Sequence, residues 1–350
     1  MIFRQLFDAA SSTYTYLLAD EKTRDGVLVD PVFEQHARDA ALMRELGVKL
    51  AMTIDTHCHA DHVTGAWLMR RALGSRIALS PAYGATNIDV AMQHGDELRF
   101  GDHVIDVRAT PGHTSGCTSL VVRDHDIVFT GDALLVRGAG RTDFQSGDPE
   151  VLFYSITDQL FTLPDTTTIY PAHDYEGRTS STIGEEKRFN PRIGGRARVE
   201  DFVGYMKNLG LPHPKQLAIA LPANLRAGEP EGGTIPARAP DWGPIVTTYA
   251  GILEVEPEWV ARHRHTITLL DVRSAAEWTG ELGHIDGSIL VPLDELRARA
   301  AEVAKDKPVV VTCQTGKRSA MATVILRKAG FDRVANLAGG VVRWRELGLP

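Results

Sequence analysis

Cysteine is scarce in this chain of 350 residues, and the three thiols, Cys58, Cys117 and Cys313, lie far apart in the sequence. Three scattered cysteines cannot form a disulfide framework, so we expect a reducing environment in which a cysteine acts as a free thiol. Long apolar runs are also absent, since none approaches the roughly 20 residues that span a bilayer. The first residues lack the charged and then apolar layout of a secretory signal. The sequence therefore predicts a cytoplasmic protein with no membrane partner.

Positive charge is in short supply as well. The chain has 38 Lys and Arg against 45 Asp and Glu, a formal net charge of −7. This balance argues against a nucleic acid or an anionic membrane as the partner. Hydrophobic residues make up 43% of the chain, as in an ordinary globular protein, and the length predicts two domains that each bury a core.

The pattern of predicted elements divides the chain into three parts. Residues 1–225 read as strands interleaved with a few helices, which is typical of sheets covered by helices. Proline and glycine then crowd the sequence, and we expect an inter-domain linker at residues 226–249. Residues 250–350 alternate strand and helix, which predicts a small, largely parallel α/β domain.

The densest group of potential metal ligands lies directly after an apolar run that reads as a buried strand, in the sequence Thr-His-Cys-His-Ala-Asp-His at residues 56–62. In an extended chain, residues two apart point the same way, so His57, His59 and Asp61 can converge on one point. His62 opens a helix predicted over residues 61–73 and approaches from another direction. Such convergence at the carboxyl end of a strand suits a transition metal.

Three further residues, His113, Asp132 and His173, follow predicted strands or lie on glycine-bearing turns, where a rigid sheet can aim ligands. Together with the motif His57-X-His59-X-Asp61-His62, they make the chain resemble the metallo-β-lactamase superfamily. The resemblance implies an αβ/βα sandwich for residues 1–225. Because this superfamily hosts both hydrolases and oxidoreductases, the motif leaves the chemistry open.

Two segments between the ligands, residues 138–145 and 181–192, resemble those of the persulfide dioxygenases. That resemblance implies one non-haem Fe(II) per chain, held by His57, His113 and Asp132, with open positions for substrate and O2. The remaining ligand-type residues would then orient the ligands through hydrogen bonds; they are His59, Asp61, His62 and His173. Since every ligand for a second metal is present, the ligands alone leave one or two metals open.

The same resemblance implies that glutathione persulfide and O2 are converted into glutathione and sulfite. Glutathione carries two carboxylates, so its pocket needs cations and hydrogen-bond donors. The candidates in the family-like segments are Arg141, Tyr175, Arg188 and Arg192.

A second reactive element lies in the last hundred residues, where a predicted strand runs into Cys313 and a helix follows. The helix dipole, Lys317 and Arg318 are expected to favour the thiolate. The loop that would cradle a persulfide on this cysteine comprises Gln314, Thr315, Gly316, Lys317 and Arg318.

This loop resembles the active-site loop of the rhodanese sulfurtransferases, and the resemblance extends over residues 250–350. It implies transfer of sulfane sulfur between thiosulfate and glutathione through a Cys313 persulfide, with Asp271 and Arg273 bracing the loop. We therefore interpret the chain as a persulfide dioxygenase–rhodanese fusion, and the resemblance further implies a homodimer.

Two alternatives belong to other classes of function. One is a dinuclear hydrolase of the glyoxalase II or lactonase type with an accessory rhodanese domain, which predicts two metals and no O2 uptake. The other is a non-catalytic persulfide sensor, whose output would survive the loss of His113.

Overall fold

The computed structural model describes residues 1–233, 240 and 242–350. The chain forms two compact units, Met1–Ile235 and Pro236–Pro350. Part of the linker predicted at 226–249, namely residues 234–239 and 241, lies outside the described residues.

The first unit contains fourteen strands and six helices in the described residues. The strands are β1 Ile2–Asp8, β2 Thr13–Ala19, β3 Asp25–Val29, β4 Lys49–Ile54, β5 Arg76–Leu79, β6 Val90–Ala91, β7 Glu97–Phe100, β8 His103–Ala109, β9 Thr118–Val122, β10 Ile127–Gly131, β11 Leu134–Leu135, β12 Gly138–Ala139, β13 Thr168–Pro171 and β14 Ser181–Thr182. The helices are α1 His36–Leu46, α2 Ala66–Leu73, α3 Pro149–Ser155, α4 Ile183–Phe189, α5 Val199–Lys207 and α6 Leu217–Asn224.

Two six-stranded sheets face each other in this unit. The first has the order β1-β2-β3-β4-β5-β6 and the second the order β14-β13-β10-β9-β8-β7. Strands of both sheets contribute to one buried cluster, in which the rings of Tyr16 and Phe129 lie 4.7 Å apart. Alternating apolar side chains on the strands produce this shared core, because one face of each sheet must be buried.

Helices cover the outer face of each sheet. Leu42 and Met43 of α1 pack on the first sheet, and Leu152 of α3 and Phe202 of α5 pack on the second. This arrangement of helices outside two stacked sheets confirms the predicted αβ/βα sandwich.

One predicted boundary near the metal motif is wrong. Helix α2 begins at Ala66 instead of residue 61, although it ends as predicted before Gly74, which has the left-handed φ of 75°. Residues 55–63 form bends instead of a helix or a strand. The amide of Asn224 ties this segment down by donating to the carbonyls of His59 and His62, at 2.8 and 2.9 Å.

The second unit is a smaller α/β domain. Its strands are β15 Val246–Thr247, β16 Leu253–Val255, β17 Thr268–Asp271, β18 Ile289–Leu290, β19 Val309–Thr312 and β20 Val334–Leu337. Its helices are α7 Pro257–His263, α8 Ala275–Trp278, α9 Leu296–Arg299, α10 Lys317–Lys328 and α11 Gly340–Glu346. The sheet has the order β15-β16-β20-β19-β17-β18, and every pair except β15 with β16 is parallel. The predicted parallel domain is confirmed.

Buried aliphatic side chains of the central strands fill the space between this sheet and its helices, with Val310 and Trp344 on one face and Val311 and Leu326 on the other. Within the part of the chain that the structure describes, no helix has the length and apolar character needed to cross a bilayer.

Candidate metal centre and cysteine loop

Three side chains from separate loops converge at one end of the sandwich. His57 follows β4, His113 lies between β8 and β9, and Asp132 follows β10. The Nε2 atoms of His57 and His113 lie 4.0 and 3.6 Å from Oδ2 of Asp132. Since each of the three residues offers a ligand atom within 4.8 Å of the others, they can hold one metal ion.

Hydrogen bonds fix the tautomer of both histidines. Nδ1 of His113 donates to the carbonyl of Arg141 at 2.6 Å, which leaves the Nε2 lone pair facing Asp132. The hydroxyl of Thr56 donates to Asp30 at 2.9 Å, so it accepts from Nδ1 of His57, at 3.0 Å. Burial, followed by the neighbouring His59, holds the pKa of His57 well below its usual value. The ring is therefore neutral, as a metal ligand must be.

The carboxylate of Asp132 faces two ways. Its Oδ2 points to the two histidines, while its Oδ1 accepts from Nδ1 of His173 at 2.7 Å. Nε2 of His173 in turn lies 3.0 Å from Oδ2 of Asp61. Burial opposes the charged form of His173, but the carboxylates of Asp132 and Asp61 outweigh it and hold its pKa well above the usual value. Both nitrogens of His173 therefore donate to carboxylates.

A second group of potential ligands adjoins the first and comprises His59, Asp61, His62 and His173. Two buried nitrogens in it, Nδ1 of His59 and Nε2 of His62, have no hydrogen-bond partner among the residues that the structure describes. His59 and His62 thus each retain a nitrogen that is free to bind a metal, whereas both nitrogens of His173 are already hydrogen-bonded. His57 faces His113 and Asp132 while His59 and Asp61 belong to this other group, so the expectation that His57, His59 and Asp61 meet at one point is wrong.

The donor set of the first group fits a divalent transition metal. Two neutral imidazoles and one carboxylate leave further coordination positions open, which is the set that non-haem Fe(II) takes in oxygenases. His57, His113 and Asp132 are buried, but their side chains line a cavity of about 900 Å³. A substrate can therefore reach the metal position.

Glycine makes the close approach of these ligands possible. A Cβ atom on Gly140 would lie 2.0 Å from the carbonyl oxygen of Asp132 and 3.0 Å from Nδ1 of His113. The strand pair β11–β12 and the segment after it can pass behind the ligands only because this residue has no side chain.

Three residues outside the predicted site support it. Thr13 is fully buried, and its hydroxyl lies 3.0 Å from Nε2 of His173 and 3.2 Å from Asp61. Asp30 binds both Thr56 and His59, and Asn224 ties the motif segment from the other side. Only Asn224 offered a signal, since it is a polar residue in the apolar stretch Leu217–Leu225, but nothing in the sequence joins it to residues 59–62.

The cavity collects most of the predicted substrate-binding residues. Arg141, Tyr175 and Arg192 line it, and the ring of Tyr175 stacks on His173 with an interplanar angle of 5°. Arg188 does not line it and is exposed on α4. The structure adds cations that the sequence argument missed, namely Arg137, Arg178 and Lys215.

Arg141 is held by groups of the protein itself. Its Nε and Nη2 atoms donate to the carboxylate of Asp143, both at 2.6 Å. Nη1 donates to the carbonyl of Pro212 at 2.6 Å, and Nη2 also reaches the carbonyl of Leu211 at 2.9 Å. Arg141 therefore fastens the segment 211–216 along the cavity.

Cys313 occupies the carboxyl end of β19, as predicted, and α10 begins four residues later. The hydroxyl of Ser319 donates to Sγ of Cys313 at 3.3 Å. Burial raises the pKa of this thiol, but the Ser319 hydroxyl and the backbone N–H groups of Ser319, Thr315 and Gly316 outweigh it, and the net pKa is lowered. The loop therefore favours the thiolate.

The two cations of the loop differ in their partners. Arg318 makes a bidentate ion pair with Glu277, at 2.8 and 2.5 Å, whereas Lys317 is exposed and makes no ion pair in the described chain. Arg273 and Asp271 form a buried pair at 2.7 Å, and Arg273 also donates to the carbonyl of Gly283. The side chain of Arg273 thus reaches the loop at 283 and the carbonyl of Glu277, and the bracing of the cysteine loop by this pair stays a prediction.

The other two thiols are buried beside the metal ligands. Burial raises the pKa of Cys58 and of Cys117 to about 12. Sγ of Cys117 also accepts from the backbone N–H of Thr114 at 3.3 Å and lies 3.0 Å from the Thr114 hydroxyl oxygen. Both thiols are therefore protonated at neutral pH and act as packing groups.

Residues 9–173 match the metallo-beta-lactamase superfamily, and residues 256–347 match the rhodanese-like domain. A metallo-beta-lactamase from Staphylococcus aureus covers 97% of this chain and 98% of its own length with a TM-score of 0.61, and at 23% identity this likeness shows the fold alone. The fold and the site thus define a metallo-β-lactamase superfamily protein with a C-terminal rhodanese domain.

The mitochondrial persulfide dioxygenase ETHE1 of Homo sapiens is 49% identical over 229 residues, which cover 65% of this chain and 89% of that protein. The crystal structure of ETHE1 from Myxococcus xanthus is 52% identical and covers 65% of this chain and 100% of its own, with a TM-score of 0.63. The chain belongs to the persulfide dioxygenase family. This homology supports dioxygenase activity on a persulfide, and the rhodanese domain suggests sulfurtransferase activity.

Proposed function

We propose that the first unit oxidises glutathione persulfide at a single non-haem Fe(II) held by His57, His113 and Asp132. One persulfide, one O2 and one water give one glutathione, one sulfite and two protons. The persulfide loses four electrons, which O2 accepts. The observation that carries this proposal is the convergence of two imidazoles and one carboxylate at the cavity wall.

The protein's own groups prepare this centre. The carbonyl of Arg141 and the hydroxyl of Thr56 hold the two rings with Nε2 directed to the metal position, and His173 holds Asp132 through its other oxygen. Fe(II) bound in such a set would supply the redox chemistry that joins sulfur to O2. Tyr175 and Arg192 on the cavity wall would bind the glutathione part, beside the segment fastened by Arg141.

In the second unit, we propose that Cys313 transfers sulfane sulfur from thiosulfate to glutathione. The thiolate attacks the outer sulfur of thiosulfate, a new S–S bond forms, and the donor's S–S bond breaks as sulfite leaves with the electron pair. A glutathione thiolate then attacks the outer sulfur of the Cys313 persulfide and restores the Cys313 thiolate. The product, glutathione persulfide, is the substrate of the first unit.

A dinuclear hydrolase of the glyoxalase II type is the second candidate, and the free nitrogens of His59 and His62 favour it. Against it, the two ring nitrogens of His173, the fourth member of the second group of potential ligands, already lie 2.7 and 3.0 Å from carboxylate oxygens of Asp132 and Asp61. Metal analysis of protein reconstituted anaerobically with excess Fe(II) and then desalted separates the two. One metal per chain is expected, and two would favour the hydrolase.

The deciding experiment is O2 uptake by anaerobically Fe(II)-loaded protein given glutathione persulfide in an oxygen electrode. Uptake equal to sulfite formed is expected, with loss of at least 100-fold in His113→Ala and full activity in His125→Ala. The control removes a histidine from the turn between β9 and β10, away from the cavity. Absence of uptake by the wild-type protein would overturn the dioxygenase assignment.

The proposal includes a cytoplasmic location and a homodimer. Light scattering of the loaded protein measures its molar mass and so tests the homodimer. A persulfide sensor without catalysis would instead leave its binding unchanged in His113→Ala, and the same electrode experiment would show no turnover.

A further inference from the structure

The cations of the substrate cavity differ in how far the protein already neutralises them. Among the described residues, Arg137 pairs with Glu185 and Glu186, Arg141 with Asp143, and Arg178 with Glu176. In the described part of the chain, Arg192 has no carboxylate within ion-pair distance, and the exposed Lys215 has none either. Arg192 is thus the guanidinium on the wall whose charge is free for an anionic ligand.

Arg192 is nevertheless well fixed. Its Nη1 donates to the carbonyl of Ala139 at 2.7 Å, and its guanidinium lies over the ring of Tyr205 at 5.2 Å. Its backbone N–H donates to Oδ1 of Asn190 at 2.9 Å, and the same oxygen accepts from Ile193. One nitrogen of the fork is therefore held, and the others are left to receive a carboxylate.

Asn190 depends in turn on a buried carboxylate. Its amide donates to the carbonyl of Gly138 at 3.0 Å and to Oε2 of Glu186 at 2.8 Å. Glu186 is 0% exposed. It also accepts from the hydroxyl of Ser181 at 2.6 Å, from the backbone N–H of Arg137 at 2.9 Å and from the Arg137 guanidinium.

All four groups around Glu186 are donors, so only a carboxylate, with two oxygens and no hydrogen, satisfies them. Through these bonds, one buried side chain joins the hairpin β11–β12, which supplies the carbonyl that holds Arg192, to the turn that carries Arg192. The buried Glu186 therefore fixes the position of the Arg192 guanidinium relative to the cavity.

With Arg192 taken as a glutathione-binding residue, as in the proposed function, we propose that Glu186 and Asn190 are the residues that position its guanidinium for a carboxylate of the thiol carrier. This inference rests on the proposed function, because it takes glutathione as the carrier. Glu186 does not touch the ligand; it fixes the geometry of the residue that does.

The test is calorimetric binding of glutathione and of its uncharged-carboxyl diethyl ester to the full-length Fe(II)-loaded protein without O2. Wild type is expected to prefer glutathione over the ester by about tenfold, since a charge-assisted bidentate contact is among the stronger hydrogen bonds. Arg192→Ala should remove that preference. Glu186→Gln places a donor among four donors and should reduce the preference at least threefold.

Glu185→Gln is the matched control, because it makes the same change one position away, on an exposed carboxylate that also pairs with Arg137. It should keep the wild-type preference within twofold. If Glu186→Gln does not fold, Asn190→Asp breaks the same connection from the other side, by replacing the amide that donates to Gly138 and Glu186, and should give the same reduction.

Equal weakening of glutathione and ester in Glu186→Gln would mean a structural role only and would overturn the inference while leaving the proposed function intact. Retention of the preference by Arg192→Ala would likewise overturn it. Failure of the wild-type protein to bind glutathione would overturn the glutathione assignment and this inference with it.

Discussion

The metal centre draws its three ligands from loops between residues 57 and 132, whereas the cysteine loop is built from consecutive residues, 313–318. The first depends on carboxylates and imidazoles that hold one another, and the second on backbone N–H groups of one turn and a helix start. A site of the first kind is vulnerable at many positions along the chain, while one of the second kind is vulnerable mainly at its own residues.

The largest expected effect tests whether the two sites work independently. Cys313→Ser should abolish sulfur transfer from thiosulfate to glutathione, by more than 1000-fold, because the nucleophile is gone. O2 uptake with glutathione persulfide should stay within twofold. His113→Ala should give the opposite pair of results in the same two assays.

Transfer that survived in Cys313→Ser would remove this cysteine from the mechanism. Each variant is expected to lose only one activity. Loss of both activities in either variant would contradict the independence of the two sites, provided that Cys313→Ser keeps its normal melting temperature and metal content.

The second-largest expected effect concerns the hydrogen bond between Thr56 and the metal ligand His57, a support on which the cysteine loop does not depend. Thr56→Val removes the acceptor for Nδ1–H of His57 and the donor to Asp30. Loss of such an outer hydrogen bond typically costs 10–100-fold in metal affinity, and competition with a chelator measures it. Thr53→Val, on the buried strand β4 that leads into this segment and bonded to the carbonyl of Arg76, should change the affinity less than threefold. Equal affinities in the two variants would contradict the assigned role of Thr56.

The smallest effect concerns the hydroxyl at the cysteine. The pKa of Cys313 is lowered because the Ser319 hydroxyl and nearby N–H groups outweigh burial. Ser319→Ala removes one donor to the thiolate, so the pKa should rise and the pH profile of alkylation by iodoacetamide should move to higher pH. At pH 7 the rate should fall about tenfold, since a hydrogen bond to a charged group contributes about 1.5 kcal/mol.

Mass spectrometry of the Cys313 peptide measures this rate separately from Cys58 and Cys117, whose pKa of about 12 keeps them protonated. Thr323→Val is the control, because Thr323 lies on the same helix and donates to the carbonyl of Ala320. An unchanged pH profile in Ser319→Ala would assign thiolate stabilisation to the backbone N–H groups and Arg318.

The contiguous parts of the molecule could be predicted from the sequence. The strand predicted to run into Cys313 and the helix predicted after it are both present, as β19 Val309–Thr312 and α10 Lys317–Lys328. Both follow from local signals, namely an apolar run and helical spacing closed by a glycine. The grouping of Cys313 with a helix start belongs to the same kind of inference.

The supports of the metal centre could not be predicted in this way. Thr13, Asp30 and Asn224 meet the motif through contacts 26 to 165 residues apart in the sequence. Their side chains carry no pattern that names a partner. Strand alternation alone would have grouped His59 with His57, and only the family resemblance separated them, since tertiary hydrogen bonds set the direction of side chains in residues 55–63.

The two sheets of the first unit meet directly beneath the ligands. The N–H of Tyr14, on β2, donates to the carbonyl of Ala172 at 2.7 Å, and Thr13 forms an isolated bridge with His173. His57 follows the first sheet, while His113 and Asp132 follow strands of the second. The ligand set therefore cannot exist in either sheet alone, and it comes into being only when residues 160 positions apart have docked. Metal binding therefore requires that both sheets have folded and docked. A metal ion bound there would in turn stabilise the contact between the two sheets.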